Sequence, residues 1–154
     1  GGWEGASTQR EREAGFRDGL GKADFPLYAH GLGQFTVDGA KNAARTMFEK
    51  PTTPDAIFIA TDHMAFAVMD VIRSEVGLRI PEDVSIIGYD DVPPAAWAAY
   101  DLTTVRQRAN VMVQETVALM LNKINDPMSE PRHIKVDSPL IVRGSAKIPK
   151  GWTP

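Results

Sequence analysis

Short apolar segments alternate with longer helical segments along most of the chain, and this alternation restricts the possible folds more than any other feature of the sequence. The segments 56–60 (AIFIA) and 84–88 (VSIIG) are apolar or small throughout, as strands covered on both faces are. Between them, residues 61–77 have the apolar spacing of a helix. Strands joined through a helix lie parallel in one sheet. The sequence therefore predicts an α/β fold in which helices flank a parallel sheet.

Similar patterns extend towards both ends of the chain. Asp62 is expected to cap the start of the helix over 61–77, and Gly77 is a typical residue for its end. The other predicted elements are helices over 7–20, 36–50 and 108–124 and strands over 25–31, 102–107, 133–137 and 139–145. A chain of 154 residues with these elements fits one domain of ordinary size.

Composition argues against several classes of function. The chain has 17 basic and 20 acidic residues and no long run of Lys or Arg, so this segment is not expected to hold nucleic acid by itself. The absence of cysteine excludes disulfides and thiolate zinc sites and is compatible with the cytoplasm, the location that we predict. No apolar run is as long as a membrane span, so no membrane partner is expected. The opening GGWEGAS lacks an initiator methionine, and we expect a piece of a longer chain.

The stretch 85–93 (SIIGYDDVP) places two carboxylates at the end of a buried strand. Open α/β sheets bind ligands at the carboxyl ends of their strands, so Asp90 is predicted to hydrogen-bond the hydroxyl groups of a ligand. For Asp91, capping of a turn or a helix N-terminus is an equally good interpretation. Adjacent residues of a strand point to opposite sides, which disfavours a shared proton or a shared metal ion. The pair therefore does not indicate a catalytic site.

Other polar and aromatic side chains lie at predicted junctions between elements. Thr61 directly follows a strand and is a candidate ligand contact. Arg10 and Arg12 lie in a first helical turn, where the helix dipole disfavours positive charge, so a grip on vicinal hydroxyls or a carboxylate is indicated, with a solvated face as the alternative for Arg10. Phe35 fits either the core or stacking on the apolar face of a ligand. His63 has no second metal ligand or nucleophile motif nearby and is expected at a surface or an interface.

Several of these motifs together resemble a known family. The segment 54–93, followed by LTTVRQ (102–107) and LIVRGSA (140–146), closely resembles the effector-binding region of the LacI/GalR family of bacterial transcription repressors. The opening helix over 7–20 and the GQFT motif (33–36) match the pattern of the family too. The resemblance covers nearly the whole chain, and the motifs are specific in combination although each alone would be weak.

The resemblance implies a ligand domain of the type I periplasmic-binding-protein fold, in which three crossovers join two subdomains and the effector binds in the cleft between them. Residues 1–101 would form the C-terminal subdomain, 102–125 the final crossover and a helix that normally belongs to the N-terminal subdomain, and 126–154 the return strands and tail. Many members have Asn where Thr61 stands, so the hydroxyl pattern recognised is expected to differ. Carried over by position, the ligand-binding residues are Thr8, Arg12, Phe35, Thr61 and Asp90.

The function that the resemblance implies is effector sensing by a LacI-type repressor. The expected effector is a sugar, and a purine nucleobase is the alternative. A homodimer would form through the helix over 61–77 and the segment 92–101, and it would contact operator DNA only through a helix-turn-helix missing from this chain. The alternative function is a periplasmic sugar-binding protein that feeds a transporter. No nucleophile, metal-ligand or phosphate-loop motif indicates an enzyme, so no catalytic residue, cofactor or metal is expected.

The predicted helix over 108–124 has an apolar stripe that needs a covering surface, because each such side chain left in water forfeits roughly 1.5–3 kcal/mol of burial. In the family this helix packs on the N-terminal subdomain, whose sheet-forming residues are absent here. We therefore expect it to fold back on this chain's own sheet or to pair with a second copy. The stripe consists of Val113, Val117, Met120, Leu121 and Ile124.

Overall fold

The computed structural model describes residues 1–151 and confirms the alternating α/β organisation, whereas residues 152–154 of the predicted tail lie outside the described residues. The helices and strands are α1 (Ser7–Lys22), α2 (Val37–Phe48), β1 (Ala56–Phe58), α3 (Asp62–Val71), β2 (Ser85–Asp90), β3 (Thr103–Arg106), α4 (Ala109–Asn125) and β4 (Leu140–Ile141).

The strands form one mostly parallel sheet in the order β1-β2-β3-β4. The first three strands are parallel, and β4 is antiparallel to β3. The register pairs Tyr89 with Val105, and the alternation of side chains along each strand puts Phe58 on the same face and Ile86 and Gly88 on the other. The carboxyl ends of β1, β2 and β3 therefore meet at one edge of the sheet.

Helix α3 covers the sheet face that carries Ile86, and α2 packs on its outer side. Seven of the ten residues of α3 are buried, because nearly every position faces either the sheet or α2. The hydroxyl of Thr61 accepts from the backbone N–H of Met64, so Thr61 is the N-cap and the prediction of Asp62 as the cap is wrong. A π-helical turn over Ile72–Val76 extends α3, and Gly77 ends it in the left-handed conformation, as predicted.

Asp62 has instead a buried carboxylate that joins three parts of the fold. It accepts from the backbone N–H of Val92 at 3.0 Å and from the hydroxyl of Thr104 at 2.6 Å. Gly88 leaves the space for this carboxylate, since a Cβ at that position would lie 2.3 Å from Oδ1 of Asp62. One side chain thus ties α3 to β3 and to the loop that follows β2.

Helix α1 covers part of the opposite face of the sheet. The ring of Phe16 stacks on that of Phe58 with 5.1 Å between the ring centroids. The guanidinium of Arg12 lies 3.9 Å from the centroid of the Tyr89 ring. These contacts place the first turns of α1 over the carboxyl ends of β1 and β2.

Two predicted strands are wrong, and a third is shorter than predicted. Residues 25–31 and 133–137 form no strand, and only Leu140–Ile141 of the segment 139–145 is paired. A strand needs a neighbouring edge as well as suitable residues. The segment 25–31 lies across a cavity from β1, and the hydroxyl of Tyr28 donates to the carbonyl of Thr52.

Helix α4 lies exposed beside the sheet. None of its residues is buried, and the side chains of its apolar stripe are 49–69% exposed. Within residues 1–151, the expectation that this chain's own sheet covers the stripe is therefore wrong. Coverage by a second copy stays a prediction.

The close approach of Gly88 to Asp62 can be tested by Gly88→Ala. The added methyl group would clash with Oδ1 of Asp62 and lie 2.9 Å from a methyl carbon of Leu102. We expect the free energy of unfolding in urea to fall by about 1–3 kcal/mol, the usual effect of overpacking. As a control, Gly19→Ala lies on α1 with no atom within 4 Å of its new methyl group, and it should raise stability by up to about 1 kcal/mol. Equal effects of the two substitutions would contradict this packing.

Candidate functional site

Arg12 joins helix α1 to the carboxyl ends of two parallel strands. One Nη of its guanidinium donates to the carbonyl of Ala60, just beyond β1, and the other lies 3.4 Å from Oδ1 of Asp90 at the end of β2. The side chains of Arg12 and Asp90 are 13% and 21% exposed, so neither is fully buried. The structure thus brings these two predicted ligand-binding residues into contact.

Asp90 ends β2 with a φ of 128°, in a region that residues other than glycine rarely adopt. Its carboxylate accepts from the side-chain amide of Gln107, and its carbonyl accepts from the backbone N–H of Gln107 at 3.3 Å. Among the described residues, the contacts with Gln107 and Arg12 both fall on Oδ1. A carboxylate has two acceptor oxygens, so Oδ2 is available to a ligand hydroxyl.

The pKa of the Asp90 carboxyl lies above its ordinary value. Burial is the main cause of the rise, the hydrogen bond from Gln107 and the charge of Arg12 oppose it, and the nearby charge of Asp62 adds to it. The site therefore supplies the Asp90 carboxylate with fewer donors than it needs, and donors from a bound ligand would stabilise its ionised form.

Asp91 binds two arginines, and the prediction that it caps a turn or a helix is wrong. Its side chain is 6% exposed and accepts from Arg143 at 2.7 Å and from Arg106. Burial alone would raise the pKa of Asp91, but the hydrogen bonds from Arg143 and Arg106 outweigh burial and hold it below its usual range. Asp91 thereby joins the end of β3 and the segment after β4 to the end of β2, where Asp90 lies.

Thr8 and Arg12 border an open cleft on the α1 side of the sheet. The cleft has a volume of about 510 Å³ and is also lined by Tyr89, Val105 and Gln107. Thr8 lies one helical turn before Arg12 and is exposed to solvent. A ligand at the strand ends could therefore contact the side chains of both residues.

Thr61 and Phe35 are placed differently from each other. Thr61 follows Ala60 at the end of β1, and because its oxygen accepts from Met64 its hydroxyl hydrogen is available to donate. Phe35 has a φ of 57° and its ring packs on Gly2, where a Cβ would come within 2.1 Å of a ring carbon. Thr61 therefore lies near Arg12 at the carboxyl ends of the strands. Phe35 instead packs between its own loop and residues 1–5.

Arg10 and His63 are the two remaining candidates from the sequence, and their contacts differ from those of Arg12 and Asp90. The guanidinium of Arg10 lies 3.4 and 3.3 Å from the carbonyls of Glu4 and Gly5, so it holds the chain before α1. His63 is exposed and meets the ring of Phe66 edge-on with 6.3 Å between centroids.

Sequence reasoning missed Gln107 and Tyr89. Gln107 follows β3 as Thr61 follows β1, so the rule that ligands bind at strand ends could have found it. Tyr89 offers its ring to Arg12 from the face opposite to Asp90, and only the three-dimensional position of α1 reveals that contact.

The strand ends combine a guanidinium, a carboxylate, an amide and a hydroxyl, all of which hydrogen-bond polar ligands. Within residues 1–151, no three His, Cys, Asp or Glu side chains are grouped as a metal site requires. None of the helices in this range is long and apolar enough to cross a membrane. The arrangement is thus suited to reversible binding of a ligand that carries several hydroxyl groups.

Comparisons with known proteins agree with the fold and extend over nearly the whole chain. Residues 2–146 match the family model of the periplasmic binding protein-like domain. A curated relative, the HTH-type transcriptional regulator CelR of Thermobifida fusca, is 34% identical over 137 residues, which are 88% of this chain and 40% of that protein. The chain therefore spans about two fifths of the length of this relative.

Two solved structures are similar over 94% of the chain. The complex of the transcriptional regulator CelR with cellobiose has a TM-score of 0.87 at 32% identity, and the chain covers 45% of it. The Lac repressor dimer bound to operator and the anti-inducer ONPF has a TM-score of 0.87 at 25% identity, with 50% of that chain covered.

The raised pKa of Asp90 predicts a pH-dependent effect of Asp90→Asn. The folded state binds this proton more tightly than the unfolded state, so the free energy of unfolding falls as the pH rises from about 4 through the folded-state pKa. Asn cannot ionise, and the stability of the variant relative to the parent should therefore increase from about pH 4 to about pH 7. Urea unfolding at a series of pH values measures this difference.

Asp91→Asn is the matched control, because the pKa of Asp91 is shifted in the opposite direction. A lowered pKa contributes stability that is present above about pH 4 and lost as the pH falls through the folded-state value. The stability of this variant relative to the parent should therefore decrease as the pH rises. Slopes of the same sign for both variants would contradict the assigned environments.

Proposed function

Because the chain belongs to the periplasmic binding protein-like domain family, in the form that LacI-type transcription regulators have, we propose that it is the effector-sensing part of such a regulator. The observation that carries this proposal is the partly exposed pair of Arg12 and Asp90 at the carboxyl edge of the parallel strands. Asp90 has an oxygen available for a ligand, and Thr8 and Gln107 line the cleft that Arg12 borders. Thr61 follows Ala60, whose carbonyl accepts from Arg12.

The ligand class that fits this edge best is a sugar. Arg12 donates in a fixed planar geometry and the Asp90 carboxylate only accepts, so vicinal hydroxyl groups satisfy both. The ring of Tyr89 lines the cleft beside these polar groups, and an aromatic ring next to polar groups suits the mixed surface of a pyranose. The relative CelR was solved in complex with cellobiose, and that disaccharide is the first effector to test.

The chain contributes one side of the proposed effector cleft. We assign residues 1–101 to one subdomain, 102–125 to a crossover and a helix that packs on a second subdomain, and 126–154 to the return strands and tail. Two observations support this division: the cleft bordered by Arg12 is open, and the apolar stripe of α4 is exposed over its whole length. The chain covers only 40–50% of the three relatives described above, which leaves ample length for the second subdomain.

A dimer surface is proposed on α3 and the segment 92–101. The ring of Phe66 lies 4.2 Å from that of Tyr100, and Trp97 beside them is 59% exposed. The apolar side chains of Met64 and Met69 are buried in the core and do not contribute to this surface. The Lac repressor structure that resembles this chain is a dimer on operator DNA. We assign operator contact to a helix-turn-helix outside these 154 residues, with the effector shifting the dimer between two states.

Reversible binding is sufficient for this role, and no catalytic step is assigned to Asp90 or His63. The relative CelR is named a transcriptional regulator, which favours this assignment over a transporter's binding protein and over an enzyme. A regulator of this kind acts on DNA, so we place the protein in the cytoplasm.

Arg12→Ala and Asp90→Ala should each weaken effector binding by the full-length protein about 10- to 150-fold. This factor corresponds to the loss of one hydrogen bond to a charged group, about 1.5–3 kcal/mol. A thermal-shift screen of sugars that begins with cellobiose identifies the effector, and isothermal titration calorimetry then measures its Kd.

Arg79→Ala is the control, because Arg79 is 71% exposed and its ion pair with Asp83 precedes the amino end of β2, the opposite end of the strand from Asp90. It should leave the Kd unchanged. An unchanged Kd for Arg12→Ala and Asp90→Ala would contradict the proposed site.

The proposal that a second subdomain covers the apolar stripe of α4 can be tested by Leu121→Asp. In the full-length protein this change should lower the free energy of unfolding by at least about 2 kcal/mol, because a charge replaces a buried apolar group. In the 154-residue piece, studied at a concentration low enough to exclude pairing with a second copy, Leu121 is 55% exposed and the effect should stay within about 0.5 kcal/mol. Asn122→Asp on the neighbouring, exposed position controls for the added charge. Equal losses in the two proteins would contradict the division into subdomains.

A further inference from the structure

The backbone at the end of β2 has a conformation that residues other than glycine rarely adopt. Asp90 has a φ of 128° and Asp91 a φ of 58°, so two consecutive aspartates both have positive φ. Such conformations persist only where surrounding contacts hold them in place. The direction of the Asp90 side chain therefore depends on the contacts that hold this backbone.

Asp91 and the residue after it supply these contacts. Oδ1 of Asp91 accepts from Nη2 of Arg143 at 2.7 Å, and Oδ2 accepts from Nε of Arg106. Both oxygens are bound and the side chain is almost fully buried, so Asp91 does not offer a ligand an acceptor as Asp90 does. The N–H of Val92 donates to a buried carboxylate of α3 at 3.0 Å. The end of β2 is thus fixed at two consecutive residues.

Arg143 is the more firmly held of the two arginines that bind Asp91. Its Nη1 donates to the carbonyl of Leu102 at 2.7 Å, so one guanidinium spans two separate acceptors. Its backbone N–H donates to the hydroxyl of Thr103 at 2.9 Å, and that hydroxyl donates to the carbonyl of Arg143 at 3.0 Å. Thr103 is buried, whereas the side chain of Arg106 is about half exposed. Arg143 is therefore anchored through its backbone as well as its side chain.

Loss of the Arg143 guanidinium would leave the Asp91 carboxylate with the more exposed Arg106 as its remaining charged partner. A buried carboxylate that lacks donors is costly, and it regains donors by turning towards water. That turn would rotate the peptide that joins Asp91 to Asp90 and relax its positive φ. A change in the segment after β4 would thus reach the ligand-binding edge without any contact between Arg143 and a ligand.

We propose that Arg143 is a positioning residue of the effector site: through Asp91 it holds the carboxylate of Asp90 in the direction that a ligand needs. This inference rests on the proposed function, in which Asp90 and Arg12 bind the effector. Arg143 lies 52 residues beyond Asp91 in the chain, and it does not line the cleft that Arg12 borders.

A crystal structure of the full-length Arg143→Gln protein tests the positioning without a ligand. Gln keeps a hydrogen-bond donor but lacks the charge and the reach of Arg. We expect Asp90 to leave its φ of 128° and its carboxylate to move out of reach of Arg12, which lies 3.4 Å from it in the parent. The pairing of β1, β2 and β3 should stay the same. An Asp90 carboxylate in its original place would overturn the proposal.

Binding of cellobiose to the full-length protein, measured by isothermal titration calorimetry, tests the consequence for function. Arg143→Gln should raise the Kd about 10-fold, the lower end of the range expected for Asp90→Ala, because a displaced carboxylate loses the same contact. Arg143→Lys keeps a charge beside Asp91 but cannot also reach Leu102, so its effect should be smaller.

The two variants distinguish failure of this inference from failure of the proposed function. An unchanged Kd for Arg143→Gln beside a raised Kd for Asp90→Ala would overturn the inference and leave the proposed function standing. An unchanged Kd for Asp90→Ala would contradict the proposed function, and the inference with it.

A double-mutant cycle separates positioning from a general loss of stability. If Arg143 acts through Asp90, Arg143→Gln should raise the Kd by less than about 2-fold in a protein that already carries Asp90→Ala. A rise of about 10-fold in both backgrounds would show a general effect and overturn the proposal. Urea unfolding of each variant confirms that the protein is folded under the conditions of the titration.

Arg45→Gln is the matched control, because it also removes an arginine that binds a carboxylate. Nε and Nη2 of Arg45 donate to Glu75 at 2.7 and 2.8 Å. This pair joins α2 to the π-helical turn after α3, at the opposite end of α3 from Thr61. Arg45→Gln should leave the Kd unchanged. A rise equal to that of Arg143→Gln would show that loss of any such ion pair weakens binding, and it would overturn the proposal.

Discussion

The buried carboxylate of Asp62 is the interaction on which the arrangement of the strand ends depends. Asp62 begins α3, yet its two oxygens bond to Thr104 on β3 and to the N–H of Val92 beyond β2. A buried carboxylate without such donors costs several kcal/mol, so the three segments are stable only in the arrangement that supplies them. Gly88 permits this arrangement because its missing side chain leaves space for the carboxylate.

The two adjacent aspartates at the end of β2 have different tasks because their surroundings differ. Asp91 is almost fully buried between Arg106 and Arg143 and fixes the loop in place. Asp90 is more exposed, has a single guanidinium at 3.4 Å and keeps one oxygen available. Asp91 thus fixes the direction of the neighbouring Asp90 carboxylate. A site that binds polyols reversibly requires an acceptor held in such a fixed position. On this basis the proposed sensing function depends on binding geometry alone.

Much of the fold could be predicted from sequence, because periodicity marks α1 to α4 and β1 to β3. The rule that ligands bind at strand ends selected Asp90, and the unfavourable position of a positive charge in a first helical turn selected Arg12; the structure brings the two together. The roles of Asp62 and Asp91 could not be predicted, since their partners lie 15 to 52 residues away in the chain. Residues 25–31 have the composition of a strand, but within residues 1–151 no neighbouring strand pairs with them. The local sequence pattern does not show whether such a neighbour is present.

The central claim is that the carboxyl ends of β1 and β2 form the effector-reading side of a cleft. A crystal structure of the full-length protein with its effector tests this most directly. The account predicts a ligand oxygen within hydrogen-bond distance, about 2.5–3.0 Å, of the Asp90 carboxylate, and a second ligand oxygen bound by the guanidinium of Arg12. An effector bound elsewhere, with Arg12 and Asp90 contacting only each other and Gln107, would contradict it.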